Sequence, residues 1–222
     1  MKKPGIEIPG IEVIAAELET PRLSGDALLS QIDGLKRRYD EPWRRHHDFQ
    51  HPLELFAILL KFKEEMDDPN AVGWTIMYHD SIYDPLAEPG RNEELSAQLS
   101  EAETPSFLTM KAAGKVAGIT RATAGHTPVD VGRDCELFLD GDLAILGATP
   151  ERYKIYADDI REEYRHVPAE LYVPGRMKIL GDLASRHENS GVYTTEPFRA
   201  EFEEQAKINI AGEIEELQAL LP

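Results

Sequence analysis

Histidine and aspartate occur together at two places in this chain, and a pair of aspartates marks a third. His46-His47-Asp48-Phe49-Gln50-His51 and Tyr78-His79-Asp80 hold four of its seven histidines, and Asp140-Gly141-Asp142-Leu143 follows further on. Imidazole and carboxylate together are the ligand set of divalent ions that activate water. His47 and His51 stand four apart, so a helix through both would project them from one face. There they could share an ion, or one could bind it while the other delivers a proton. His79-Asp80 follows the apolar run Val72–Met77 and precedes Ile82, close to the expected core. Burying that pair is costly unless the two are paired or coordinate a metal. Asp140 and Asp142 flank Gly141 beside Leu139, Leu143 and Leu146. Either could serve as a ligand, and Asp140 could equally cap a helix.

Other residue types fit supporting roles. Glu93 and Glu94 follow the His79-Asp80 loop and are candidates for orienting a water. His126, within Gly125-His126-Thr127, is a candidate for substrate contact or an extra ligand. Arg44, Arg45, Lys111, Arg161 and Arg176 are the cations that a phosphate would need. Tyr153, Tyr156 and Tyr164 read as core packing with hydroxyls at the rim. His166 and His187 read as surface residues, and Cys135 as a buried, inert thiol.

Helices must position these groups. Residues 1–21 are rich in Pro, Gly and Glu and read as an N-terminal arm. Leu28, Leu29, Ile32 and Leu35 predict a helix entered at Ser24. Leu53 to Phe62 predicts a second, closed by Pro69-Asn70. Val72, Trp74, Ile76 and Met77 predict a third, short one that carries His79-Asp80. Asn92 opens the next. Thr104-Pro105 and Thr149-Pro150 both read as an N-cap followed by proline at the first helical position. The loop 124–132 holds His126. Leu137 to Leu146 predicts a helix closed near Gly147, and two more are expected over 173–186 and 196–221. Few segments alternate with a period of two, so the expected class is all-α.

The chain has 222 residues, enough for one sizeable core. Its 24 Lys and Arg against 41 Asp and Glu give a net charge of −17. So acidic a surface repels phosphate backbones and anionic lipid, which argues against a nucleic-acid polymer or a membrane as partner. A single cysteine permits no internal disulfide, and a reducing, cytoplasmic setting is expected. Nothing resembles a signal-peptide core or a membrane span.

Several blocks, in order, carry a resemblance. Arg44-Arg45-His46-His47-Asp48-Phe49-Gln50-His51, His79-Asp80-Ser81-Ile82-Tyr83-Asp84-Pro85, Asn92 to Ala97 and Phe138 to Gly147 resemble the HD-domain metal-dependent phosphohydrolases. The likeness is to a bacterial branch of predicted members. Tyr153, Tyr156, Arg161, Glu163-Tyr164 and Gly175-Arg176 are similar to that branch as well, and the likeness spans about residues 24–190.

The resemblance implies a single-domain, all-α helical bundle of the HD-domain, phosphodiesterase-like type over residues 22–222. It makes His51, His79, Asp80 and Asp142 the metal ligands. Asp142 is preferred to Asp140 because the residue before the leucine is the usual ligand in the family. Cyclic-nucleotide phosphodiesterases share this core and carry a Tyr-His-Asn block with a proton-donating histidine where this chain has His46-His47-Asp48. That position makes His47 the candidate general acid, with Asp80 and Glu93 completing the catalytic group. Arg44, His126, Arg161 and Arg176 are the candidate substrate contacts. One or two divalent ions are expected, among Mn, Fe, Zn, Co, Ni and Mg. The implied activity is hydrolysis of a phosphoester of a small metabolite, a nucleotide being the favoured class. The alternative is a catalytically reduced nucleotide- or metal-binding regulatory module. A homodimer is compatible with either.

Overall fold

The computed structural model describes residues 8–126, 132–186 and 191–221. Among these there are ten α-helices and no strand, so the all-α expectation holds. No helix among the described residues is long and apolar enough to cross a membrane. The chain divides into two compact units at residues 139 and 140.

In the first unit, α1 (Ile11–Leu18), α2 (Gly25–Tyr39), α3 (Gln50–Leu59), α5 (Arg91–Glu103) and α6 (Met110–Ala122) all pack against α4 (Pro69–Tyr78). Every residue from Ala71 to His79 is buried. A helix apolar on all sides belongs at the centre of its unit, and α4 occupies that place. Trp74 at its middle is fully buried and donates its indole N–H to the Leu18 carbonyl at 3.1 Å.

Several local expectations change. The segment read as an arm contains α1, because Ile14 and Leu18 find complete burial against α4 and α2. Pro69 opens α4 rather than closing α3. The Asp68 carboxylate accepts from Ala71 N at 3.0 Å, and proline at the first helical position has no N–H to lose. Thr104-Pro105 begins only a 3₁₀ turn. The cap that starts α6 is Thr109, whose hydroxyl accepts from Ala112 N.

The helix α7 (Arg133–Asp142) runs through the division between the units and tightens into a 3₁₀ turn over Leu143–Gly147. The second unit then holds α8 (Pro150–Glu163), α9 (Ala169–Ala184) and α10 (Glu196–Gln218). There α10 packs on α8, on α9 and on the 3₁₀ turn. Thr149 caps α8 as expected, accepting from Arg152 N at 3.4 Å. Tyr153 and Tyr156 are core residues of this unit.

Candidate metal centre

Two helix ends in the first unit bring the imidazoles together. His51 lies in the opening turn of α3, and His79 follows directly on the last residue of α4, where its N–H donates to the Thr75 carbonyl at 2.9 Å. Their Nε2 atoms are 3.0 Å apart. The Asp80 Oδ2 atom stands 3.2 Å from His79 Nε2 and 3.5 Å from His51 Nε2. Both rings are buried, and the Asp80 side chain is 16% exposed.

The second nitrogen of His79 decides what faces Asp80. His79 Nδ1 lies 3.0 Å from the Ile76 carbonyl. A carbonyl only accepts, so Nδ1 carries the proton and Nε2 of a neutral ring presents a lone pair. That lone pair points at a carboxylate, which also only accepts. A proton carried on His51 Nε2, 3.0 Å from His79 Nε2, or a metal cation among these atoms would satisfy the facing lone pairs. Donor atoms about 2.0–2.2 Å from one ion stand roughly 3 to 4.4 Å apart, a range that covers all three distances. The donor set therefore fits a divalent ion. The hydrogen bond to Ile76 is the outer contact that metal-binding histidines use to hold a tautomer. Burial alone would raise the Asp80 carboxyl, but the charge and hydrogen bond of His79, with His47 and His51, hold it well below the usual carboxylate range.

Helix α7 supplies a further candidate. Phe138 packs edge-on against the His79 ring, with centroids 5.3 Å apart. Asp142 follows one helical turn later on the same face of α7. Asp140 has a different role within the second unit. It is fully buried, and its two carboxylate oxygens accept from Thr194 N at 2.9 Å and Thr195 N at 2.6 Å, just before α10. Asp140 thus lies inside α7 and is not the N-cap residue of a helix, and Asp142 remains the ligand candidate that the resemblance implies.

His46 and His47 join the cluster by a different route from the one expected. Residues 41–49 are turns and bends, so His47 does not share a helix with His51. Helix α3 starts only after Asp48, whose carboxylate accepts from Gln50 N and whose carbonyl accepts from His51 N. The fold of this loop still brings the rings close. His46 lies 4.9 Å and His47 6.0 Å from the His51 ring. His47 also stacks on Tyr83 at 4.2 Å, a neighbour that no spacing in the sequence signals.

The remaining candidates are placed as follows. Glu93 stands half-buried in the first turn of α5, next to Glu94, which pairs with Arg121 of α6 at 2.8 Å. His126 lies in the turn leaving α6 with φ +46, and residues 127–131 of its loop lie outside the described ones. Arg44 is buried and donates to backbone carbonyls around the cluster. Arg161 donates to the carbonyls of Tyr164 and Val167 at the end of α8 and covers the Tyr172 ring at 4.4 Å. Arg176 is paired with Glu213 at 2.8 and 3.1 Å and reaches the Tyr156 hydroxyl. The guanidinium groups assigned to phosphate on sequence grounds are thus engaged with protein acceptors. Lone arginines carry no sequence signal that separates the two uses. His187 lies outside the described residues.

No protein-family model, no curated protein and no solved structure matches this chain.

Proposed function

We propose that the chain is a metal-dependent phosphohydrolase of the HD-domain type. Its expected substrate is a phosphoester of a small metabolite, with nucleotides the favoured class. One observation carries this reading: the Nε2 atoms of His51 and His79 and the Asp80 carboxylate converge at the buried end of α4, at distances that one divalent ion can span. His51, His79, Asp80 and Asp142 would hold the ion. A bound divalent ion lowers the pKa of water to about 7 and draws charge from a phosphoryl oxygen.

The protein's own groups complete the chemistry. His47, half-buried and held by its stack on Tyr83, can deliver a proton to the departing oxygen. Half-buried Glu93 can orient the attacking water. Arg44, Arg161 and Arg176 are engaged elsewhere, so the ion and the His46–His47 pair are left to balance much of the phosphate charge. Phosphate release from a nucleotide panel, with and without Mn²⁺ or Co²⁺, tests the proposal. Metal-stimulated turnover is expected, and a metal-loaded protein inert on every phosphoester would refute it.

A second reading keeps the ion but not the turnover. The replacement of Tyr-His-Asn by His46-His47-Asp48, and the prior engagement of the arginines, favour a nucleotide- or metal-binding regulatory module. Tight nucleotide binding without phosphate release would select it.

A further inference from the structure

We infer that Arg44 is a positioning residue of the candidate metal centre, fastening the His47 segment to the His79-Asp80 segment through backbone carbonyls. The inference rests on the reading that the cluster holds a divalent ion. The Arg44 side chain is fully buried, with its guanidinium carbon 5.0 Å from the Tyr39 ring and 5.4 Å from the Tyr83 ring. Its Nη1 donates to the His47 carbonyl at 3.0 Å and to the Asp80 carbonyl at 2.7 Å. Its Nη2 donates to the Ser81 carbonyl at 3.3 Å, and its Nε to Glu41 Oε2 at 2.9 Å.

These four contacts occupy most of a guanidinium's five N–H groups, so little of Arg44 remains for a substrate phosphate. What it does hold is informative. His47 and Asp80 lie 33 residues apart in the chain, on either side of α3 and α4. One rigid fork spans both, and its contacts stop at the peptide groups of the candidate ligand Asp80 and its neighbour Ser81. The Tyr83 ring under Arg44 is the ring on which His47 stacks, so the same side chain also fixes the candidate proton donor. A lysine has one nitrogen and cannot reproduce a planar fork over three carbonyls. Charge alone would therefore not replace Arg44.

The test is Co²⁺ titration of wild type and Arg44→Lys, followed by calorimetry and by the visible absorption of bound Co²⁺. Far-UV circular dichroism reports the folded fraction. Outer contacts of this kind typically change metal affinity by about 10- to 100-fold, and a loss of that size is expected, with an altered Co²⁺ spectrum. A folded Arg44→Lys protein with wild-type affinity and spectrum would overturn the inference, since a purely structural arginine changes stability alone. Should Arg44→Lys fail to fold, Glu41→Ala decides. It frees only Nε, and a few-fold weaker Co²⁺ binding supports the role while unchanged binding removes it. Wild type that binds no Co²⁺ at all would refute the metal reading itself, a result distinct from a wild type and variant that bind alike.

Discussion

Asp140 and Asp142 differ by two positions and have unlike roles. The Asp140 carboxylate accepts from Thr194 N and Thr195 N just ahead of α10, and Asp142 ends α7 on the face that carries Phe138. Asp140→Ala orphans two backbone donors, and a loss of about 1–3 kcal/mol in denaturant titration is expected, with Co²⁺ binding retained. Burial pushes the Asp140 carboxyl up, against the hydrogen bonds from Thr194 and Thr195. A raised carboxyl contributes most below its ordinary value near 3.8 and loses that contribution as pH climbs through the raised one. The deficit of Asp140→Ala should therefore be larger at pH 4 than at pH 7. Asp80→Ala should behave the opposite way, abolishing Co²⁺ binding in calorimetry while far-UV circular dichroism changes little. A variant that still bound Co²⁺ normally would remove Asp80 from the ligand set. The histidines and acids were legible as residue types. Tyr83 beneath His47 and Arg44 across the loop were not, because ring stacking and carbonyl capping leave no periodic trace.

At the scale of elements, apolar spacing located nearly every helix, and caps decided where they begin. Asp68 before Pro69 starts α4 and Thr109 starts α6, whereas Thr104-Pro105 leads only a 3₁₀ turn. Thr-Pro signals a start without signalling its length, since a cap must be followed by a helix that packs. The segment 41–49 shows the converse. Four-residue spacing would put His47 and His51 on one face were both helical, but Asp48 terminates the loop and delays α3 to Gln50. Gly147 offers a test of element packing. A Cβ there would lie 2.6 Å from the Phe202 backbone oxygen and Cβ of α10. Backbone cannot move aside as a flexible side-chain tip can. Gly147→Ala is expected to lower stability by about 1–3 kcal/mol in urea unfolding, and a neutral result would show that α10 can shift.

For the whole molecule, the net charge of −17 repels polyanions. A ligand that binds only the folded chain stabilises it by mass action, by about 2.7 kcal/mol at a hundredfold excess over Kd. Mn²⁺ or Co²⁺ should therefore raise the melting temperature. Protons compete with an ion for its ligands, so the gain should be smaller at pH 5.5 than at pH 7.5, and melts at both values check both claims. A melting point indifferent to every divalent ion at pH 7.5 would count against the centre.

Composition and periodicity alone determined the helical class, the strong acidity and the residue types that converge. They act locally, through side-chain spacing within a turn or two. Tertiary structure alone decided that Asp140 accepts from Thr194 N and Thr195 N, that α1 is packed rather than loose, and that Arg44 grips carbonyls instead of awaiting a phosphate. Those outcomes depend on groups 30 or more residues apart meeting in space, where hydrogen-bond partners and burial are settled by packing and not by neighbours in the chain.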